Sequence, residues 1–412
     1  MPESWIHRSA GATLESWLNE SFGWDLPNFL TMLIMLAVTL GFLACSALFL
    51  IWLERKISAR IQNRTGPMMT GPRAWAERSM WIGGLFQTAA DAIKLLLKEL
   101  IIPRQADPFP FVLAPIVVFT VCLSAFVVLP FAPAFAVADL SIGLLYVVAM
   151  SSLTVLSILM AGWSSNNKYS LLGGLRSAAQ MLSYEIPLIF ALLGPIVLAG
   201  TLSMQGIVVA QRELGVWFVV PSFLGAIIYF VAAIAEVNRP PFDIPEAESE
   251  LVAGYVSEYS GMMFAMFFLA EFCNMMLVCG ITVTVFFGGW AIPFIPIPET
   301  PSLGYALAGA AWFLFKTYIL ILVMMWIRWT FPRVRPDHLM SLGWKFLLPL
   351  ALVNLLFCCA VSILRVHFPS APWAVALGVG VAGALILGTA LSAYNRPAPT
   401  TRPEEIGMAE AS

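Results

Sequence analysis

The sequence predicts an all-α polytopic membrane protein, with about nine transmembrane helices plus a cytoplasmic-side amphipathic helix. Three observations carry that reading. Of 412 residues, 60% are hydrophobic. Only 11% are charged, where a soluble domain carries roughly 25%. The apolar residues also gather into runs of about 20 or more, enough to cross a core of about 30 Å at about 1.5 Å per residue. A net charge of −2 offers nucleic acid no electrostatic hold, so no such partner is expected.

The spans fall at 29–53, 109–132, 138–162, 185–205, 216–236, 261–288, 303–328, 343–364 and 372–392. Pro187 and Pro195 interrupt the fourth, and the ninth is rich in glycine. Residues 1–28 hold Glu3, Glu15, Glu20 and Asp25 against Arg8. No basic leader precedes the first run, which is also too long for a signal core, so it is expected to stay as a helix behind an external segment. Residues 29–364 form the eight-helix membrane core, 365–392 an additional C-terminal span, and 393–412 a polar, proline-containing cytoplasmic tail that lacks the apolar surface to pack.

Orientation follows from lysine and arginine. Connections after odd-numbered spans hold most of the 22 basic residues, from Arg55, Lys56, Arg60 and Arg64 through Lys168 and Arg239 to Arg333 and Arg335. Only Arg8, Arg212 and Arg365 fall on the other side. The positive-inside rule then places the N-terminus outside and the C-terminus in the cytoplasm, as nine crossings require.

The first cytoplasmic connection, 54–108, is the longest and most basic, with turn signals at Gly66-Pro67 and Gly71-Pro72. An amphipathic helix is expected at about 76–100. There Trp81, Leu85, Ala89, Ile93 and Leu96 share helical spacing, and Gln87, Asp91, Lys94 and Lys98 form a polar stripe. Such a helix can lie on lipid headgroups. Asp91 amid the lysines favours instead a stripe lining a protein cavity. The next connection, WSSNNKYSLLGGLRSAAQMLSY at 163–184, is polar but lightly charged and leads into Glu185.

The most acidic stretch is EVNRPPFDIPEAESELVAGYVSEYSG at 236–261. It sets Glu236, Asp243, Glu246, Glu248, Glu250 and Glu258 against Arg239 alone. So many carboxylates beside a membrane suit proton handling. In DIPE, Asp243 is placed as a helix cap with Glu246 three residues on. That local role leaves Glu236, Glu248, Glu250 and Glu258 unexplained, and the basic first connection is their natural partner.

Glu185, Glu236, Glu271 and Lys316 sit in or at the ends of apolar spans, where a central charge costs at least about 2.5–3.5 kcal/mol. Glu271 and Lys316 are deepest and can pair, fixing two helices. A graded line of carboxylates joined by water accounts for more of the set. Phe264, Phe268 and Glu271 follow i, i+4, i+7, so two rings and a carboxylate share one face. Such a face is packing, or the wall of an apolar cavity that ends on an acid.

The six cysteines lie in apolar runs without Cys-x-x-Cys, and the three histidines lie outside them. No metal, cluster or haem ligand set is therefore expected. Nor is there a Walker loop or dinucleotide fingerprint.

With ERKISARIQNRTGP, GWSSNNKYSLLGGLRSAAQMLSYEIP and the acidic stretch in view, the chain resembles the quinone-site membrane subunit of respiratory complex I, from about Asn28 to Leu364. The resemblance implies a part in proton-translocating NADH:quinone oxidoreductase in the bacterial inner membrane. Its substrate would be quinone. No cofactor would be bound by this chain alone; FMN and iron–sulfur clusters would sit in partner subunits. Peripheral quinone-module subunits and small membrane subunits would be its partners within the lipid bilayer. By motif, Arg55, Arg64, Asp91, Lys94, Lys98, Phe264 and Phe268 would line the quinone path, facing loops 54–108 and 237–260. Glu185, Glu236, Glu271 and Lys316, with Asp243, Glu246, Glu248 and Glu250, would form the proton path. The family fold implies a five-helix arrangement like half of an antiporter-like subunit.

Two departures stand out. Some relatives have a carboxylate where this chain has Ser152, and the ninth span lies beyond the eight-helix core of many. Alternatives are an anchoring subunit of a related hydrogenase or ferredoxin-driven complex, and a stand-alone cation/proton antiporter.

Overall fold

The computed structural model describes residues 28–68, 70, 83–133, 137–244, 251–293 and 303–367, with isolated positions 378, 383, 385 and 389 beyond. Among the described residues the chain is helical throughout, without a strand. Helix α1 spans Asn28–Ile61, α2 Gln87–Leu97, α3 Pro108–Phe126, α4 Gly143–Ser164 and α5 Lys168–Ala199. Then come α6 Met204–Leu214, α7 Phe223–Glu236, α8 Gly261–Phe286 and α9 Leu303–Thr330. The helix that follows α9 is built from α10 Pro336–Ser341, one π-helical turn Leu342–Leu347 and α11 Leu348–His367.

Among the described residues, seven helices are long and apolar enough to cross a membrane, which makes the chain a multi-pass membrane protein. The expected span 216–236 is shorter, because Trp217–Ser222 turns before α7 begins. The ninth span falls outside the described residues, apart from the isolated positions, as do residues 76–82 of the amphipathic helix.

The connection 163–184 and the fourth span are mostly one helix. α5 runs for 32 residues through both prolines. Asn167 caps it by accepting from the Tyr169 N–H at 3.1 Å, and Gly200 ends it at φ +70°. Its polar side chains are absorbed by neighbours: Ser170, Ser177 and Gln180 are all buried. Gly162 of α4 and Gly174 of α5 let those two backbones meet, since a Cβ on either would stand about 3.2–3.3 Å from the other's Cα. α5 packs against α4, α7 and α11 and forms the middle of the bundle.

At the basic end, the segment after α2 docks on the start of α8. The Ile101 N–H donates to Ser260 Oγ at 3.1 Å, and Ser260 Oγ donates to the Glu99 carbonyl at 3.4 Å. The first connection and the acidic stretch thus lie together.

Candidate functional site

The site starts from a helix that is too short. With 14 residues, α7 rises only about 21 Å, so Glu236 at its C-terminus stays inside the bundle. The chain then runs irregularly from Val237, and backbone of that kind is tolerated at depth only where protein or a cavity satisfies it. Here both serve. The Val237 N–H bonds the Ala233 carbonyl at 3.1 Å and the Asn238 N–H bonds that of Ala235 at 3.2 Å. Buried Gln180 of α5 donates from Nε2 to the carbonyls of Ala235 at 2.8 Å and Phe242 at 2.6 Å. Asn238 takes the left-handed conformation, φ +55°, which asparagine accepts more readily than most residues.

This turn delivers Arg239 to the centre of a four-charge cluster. Its Nη1 donates to both Glu54 oxygens at 3.2 Å, its Nε lies 2.6 Å from Glu271 Oε1, and its guanidinium covers the Phe272 ring at 4.4 Å. Arg328 of α9 pairs with Glu54 from the other side. The side chains of Arg239 and Glu54 are only 6% and 10% exposed, so neither charge could stay there alone. Beyond α9, Arg333 Nη2 holds Asp243 Oδ2 at 3.1 Å and the Val334 N–H bonds the Pro241 carbonyl at 3.0 Å. Asp243 thus anchors the loop to the segment that follows α9. The helix it was expected to cap, with Glu246, Glu248 and Glu250, lies outside the described residues.

Two cavities meet at Glu271. One, of about 200 Å³, is lined by Val252, Ala253, Tyr255, Val256, Phe264, Phe267 and Phe268, and ends on the Glu271 side chain. The other, of about 30 Å³, has Glu236, Asn238, Thr154, Asn274 and again Glu271 on its walls. Tyr255 and Phe267 face both cavities, their rings edge to face at 5.6 Å, and so make the partition. Below them Tyr259 stacks on Phe111 at 4.2 Å and donates to its carbonyl at 3.2 Å. Burial pushes the Tyr259 phenol up to about 12, so it keeps its proton and its hydrogen bond at neutral pH. From Glu236 the acids continue: Ser151 and Glu185 stand beside it, and Ser152 donates to Glu185 Oε1.

Residues 33–359 match a family model described as NADH dehydrogenase. The NADH-quinone oxidoreductase H subunit of Brevibacillus brevis is 47% identical over 341 residues, covering 83% of this chain and 95% of the relative. That of Geobacillus kaustophilus is 45% identical over 362 residues, covering 88% and 99%, and that of Carboxydothermus hydrogenoformans 44% identical over 344 residues, covering 83% and 92%. The chain belongs to the family of NADH-quinone oxidoreductase H subunits.

Within this family member, the residues expected from sequence separate into groups. Phe264, Phe268 and Glu271 share one cavity, and Glu236 and Glu185 follow in line. Arg55 pairs with Asp91 at 2.5 Å, and Gln87 bridges that acid to Thr70, donating to Asp91 Oδ1 at 3.1 Å and accepting at 2.6 Å. These belong to the first connection and do not line either cavity. Arg64, Lys94 and Lys98 are exposed.

The pairing of Lys316 with Glu271, one of the two arrangements the spans allowed, does not form. Lys316 instead donates to the carbonyls of Phe287, at 2.8 Å, and Gly289, between the rings of Trp217 and Trp312. It closes the far end of α8, about 24 Å along the helix from Glu271.

The residues that sequence reasoning missed are Arg328, Tyr255 and Asn238, with Arg239 noted only as a lone cation and Glu54 only by motif. No spacing could have found the cluster, since Glu54 and Arg239 are 185 positions apart.

Ser152 donates a hydrogen bond to the Glu185 carboxyl. Ser152→Ala removes one side-chain hydrogen bond, an interaction worth about 0.5–1.5 kcal/mol. It is expected to lower the melting temperature of the purified complex and to slow turnover, both measurable in detergent.

Proposed function

We propose that this chain is the membrane subunit of a proton-translocating NADH:quinone oxidoreductase, that it forms much of the quinone chamber, and that it couples quinone reduction to proton movement through its carboxylates. Family membership supports the complex. One observation supports the chemistry: Glu271 stands at once on the wall of an aromatic, apolar pocket and on the wall of a water-sized polar cavity shared with Glu236.

Quinone plus two electrons and two protons gives quinol. The electrons would come from partner subunits carrying FMN and iron–sulfur clusters. The flat aromatic walls of Phe264, Phe267 and Phe268 suit a quinone ring or its isoprenoid tail. The mouth, where Val252 is 67% exposed, would be completed by a peripheral subunit, with Lys94 and Lys98 on the same side to attract reduced, anionic quinone. Charge changes there would alter the protonation of Glu271, held by Arg239, and then of Glu236 and Glu185. Glu246, Glu248 and Glu250 would stand between chamber and path. The basic end would face the cytoplasm of a bacterial inner membrane, with the N-terminus outside.

Glu271→Gln keeps shape and hydrogen bonding but removes the titrating group. In membranes containing the assembled complex, NADH:quinone turnover and proton uptake should lose most of their value. Oxidation of NADH by a soluble ferric acceptor should be unchanged. Wild-type proton uptake in an assembled Glu271→Gln complex would overturn the relay.

A further inference from the structure

The small cavity between Glu236 and Glu271 contains a group that neither fold nor cluster requires. Asn238 lines it, and its amide oxygen Oδ1 is buried with no hydrogen-bond partner among the described residues. A buried acceptor left so costs free energy unless something donates to it. The other half of the amide is engaged, with Nδ2 donating to Ser177 Oγ at 3.1 Å. The Ser177 hydroxyl has Met181 Sδ, 3.9 Å away, as an acceptor for its own hydrogen, which leaves its lone pairs for the amide. With Nδ2 so engaged, Oδ1 is the half of this cavity-lining amide left without a donor among the described residues.

The space measures about 30 Å³. A water needs about 10–15 Å³ on this measure and two to four polar partners. Glu236, Glu271, Asn238 and Asn274 supply them, so the space has room and partners for water. We infer that Asn238 is a positioning residue for proton transfer, holding one hydrogen of a water so that its other hydrogen and its lone pair face the two carboxylates. This rests on the relay reading above and adds the residue that orients it.

The step balances without any redox change. In the direction that feeds quinone reduction, the carboxylic O–H of Glu236 breaks and its proton joins the water oxygen. The water's free hydrogen passes to the Glu271 carboxylate. Water is regenerated, and one negative charge has moved from Glu271 to Glu236. An unoriented water must first rotate, and such misplacement costs rate without removing either acid.

The test uses the assembled complex in proteoliposomes. Asn238→Leu keeps the branched shape of the amide side chain and loses the acceptor. Asn238→Gly suits the left-handed backbone and loses it too. Ser177→Ala removes only the partner of Nδ2. Both Asn238 variants should lower quinone-linked turnover roughly tenfold or more and raise the ratio of rates in H2O and D2O above that of the wild type. Ser177→Ala, which frees the amide without removing its oxygen, should raise that ratio by less than either Asn238 variant, and a density map of the wild type should show water within hydrogen-bond distance of Oδ1. Loss of turnover with an unchanged isotope ratio would make the role structural and overturn the proposal. Wild-type turnover in either assembled Asn238 variant would overturn it as well. If that occurs while Glu271→Gln and Glu236→Gln still fail, the relay stands and only the positioning role falls. If all of these variants turn over normally, the relay itself is wrong.

Discussion

Replacing Arg239 with leucine is expected to strip the subunit from the assembled complex. The guanidinium serves Glu54 and Glu271 together, at 3.2 Å and 2.6 Å, from a side chain only 6% exposed. Breaking a buried ion pair by removing one partner costs about 3–5 kcal/mol, because the abandoned charge remains. That is a large part of the roughly 5–15 kcal/mol by which a folded protein is stable. Glu54 would keep Arg328, whereas Glu271 would lose its guanidinium. Arg239→Lys should be intermediate: one ammonium carries the charge but cannot present two nitrogens to two acids as the guanidinium does. Adding Glu271→Gln to Arg239→Leu should recover part of the loss, since the uncompensated charge disappears with it. Subunit abundance in membranes and the melting temperature of the purified complex, run as a double-mutant cycle, would show this. An Arg239→Leu complex that melts with the wild type would refute the account.

Much of the fold could be read from the chain because lipid imposes one rule. A segment crossing the core must be helical and apolar for about 20 residues, whatever its neighbours. The reading weakens where burial is in protein instead of lipid. The first half of α5 carries Ser170, Arg176, Ser177 and Gln180, and so resembles a polar connection. It is helix because several of those groups find partners on other elements, as with Gln180 on the Ala235 and Phe242 carbonyls. At α7 the error ran the other way. Hydropathy continues smoothly through Trp217–Ser222, but the chain turns there, and only the shortened helix leaves Glu236 at depth.

The site was legible to the same degree. Phe264, Phe268 and Glu271 lie on one helix, so their spacing alone put them on one face, and both rings prove to line the cavity that ends on the acid. Depth within a span could not tell which end of a neighbour a residue would meet. Lys316 and Glu271 lie on antiparallel helices, and each finds its partners at opposite ends of α8. The acids of Glu236–Gly261 called for a basic counterpart, and the segment does meet the first connection. The principal contact, however, runs from that segment's own cation to Glu54. Charge totals indicate that two segments attract, and only the packed backbone decides which groups touch.

Gly173→Ala is expected to damage function more than a single methyl group would suggest. A Cβ at Gly173 would stand 2.6 Å from Gly254 Cα and 2.8 Å from the Tyr255 nitrogen. Both are backbone atoms, so no side chain can swing aside, and either α5 or the turn Gly254–Val256 must move. That turn is already bent tightly, with Val252 at φ +65° and Gly254 at φ +56°, and α5 holds it one helical turn earlier through Ser170 Oγ donating to the Tyr255 carbonyl at 3.2 Å. Overpacking of this kind costs about 1–3 kcal/mol. Pushing the turn outward carries Tyr255 with it and opens the partition between the apolar pocket and the polar cavity beside Glu271. Quinone-linked turnover should therefore fall roughly tenfold or more, while NADH oxidation by a soluble ferric acceptor is kept. Gly174→Ala is the matched control. Its Cβ would meet Gly162 Cα and the Ile158 carbonyl at 3.3 Å, straining the α4–α5 contact without touching Tyr255, so it should lower the melting temperature with a smaller loss of turnover. A larger loss in Gly174→Ala, or wild-type turnover in Gly173→Ala, would show that the Tyr255 partition does not control the reaction.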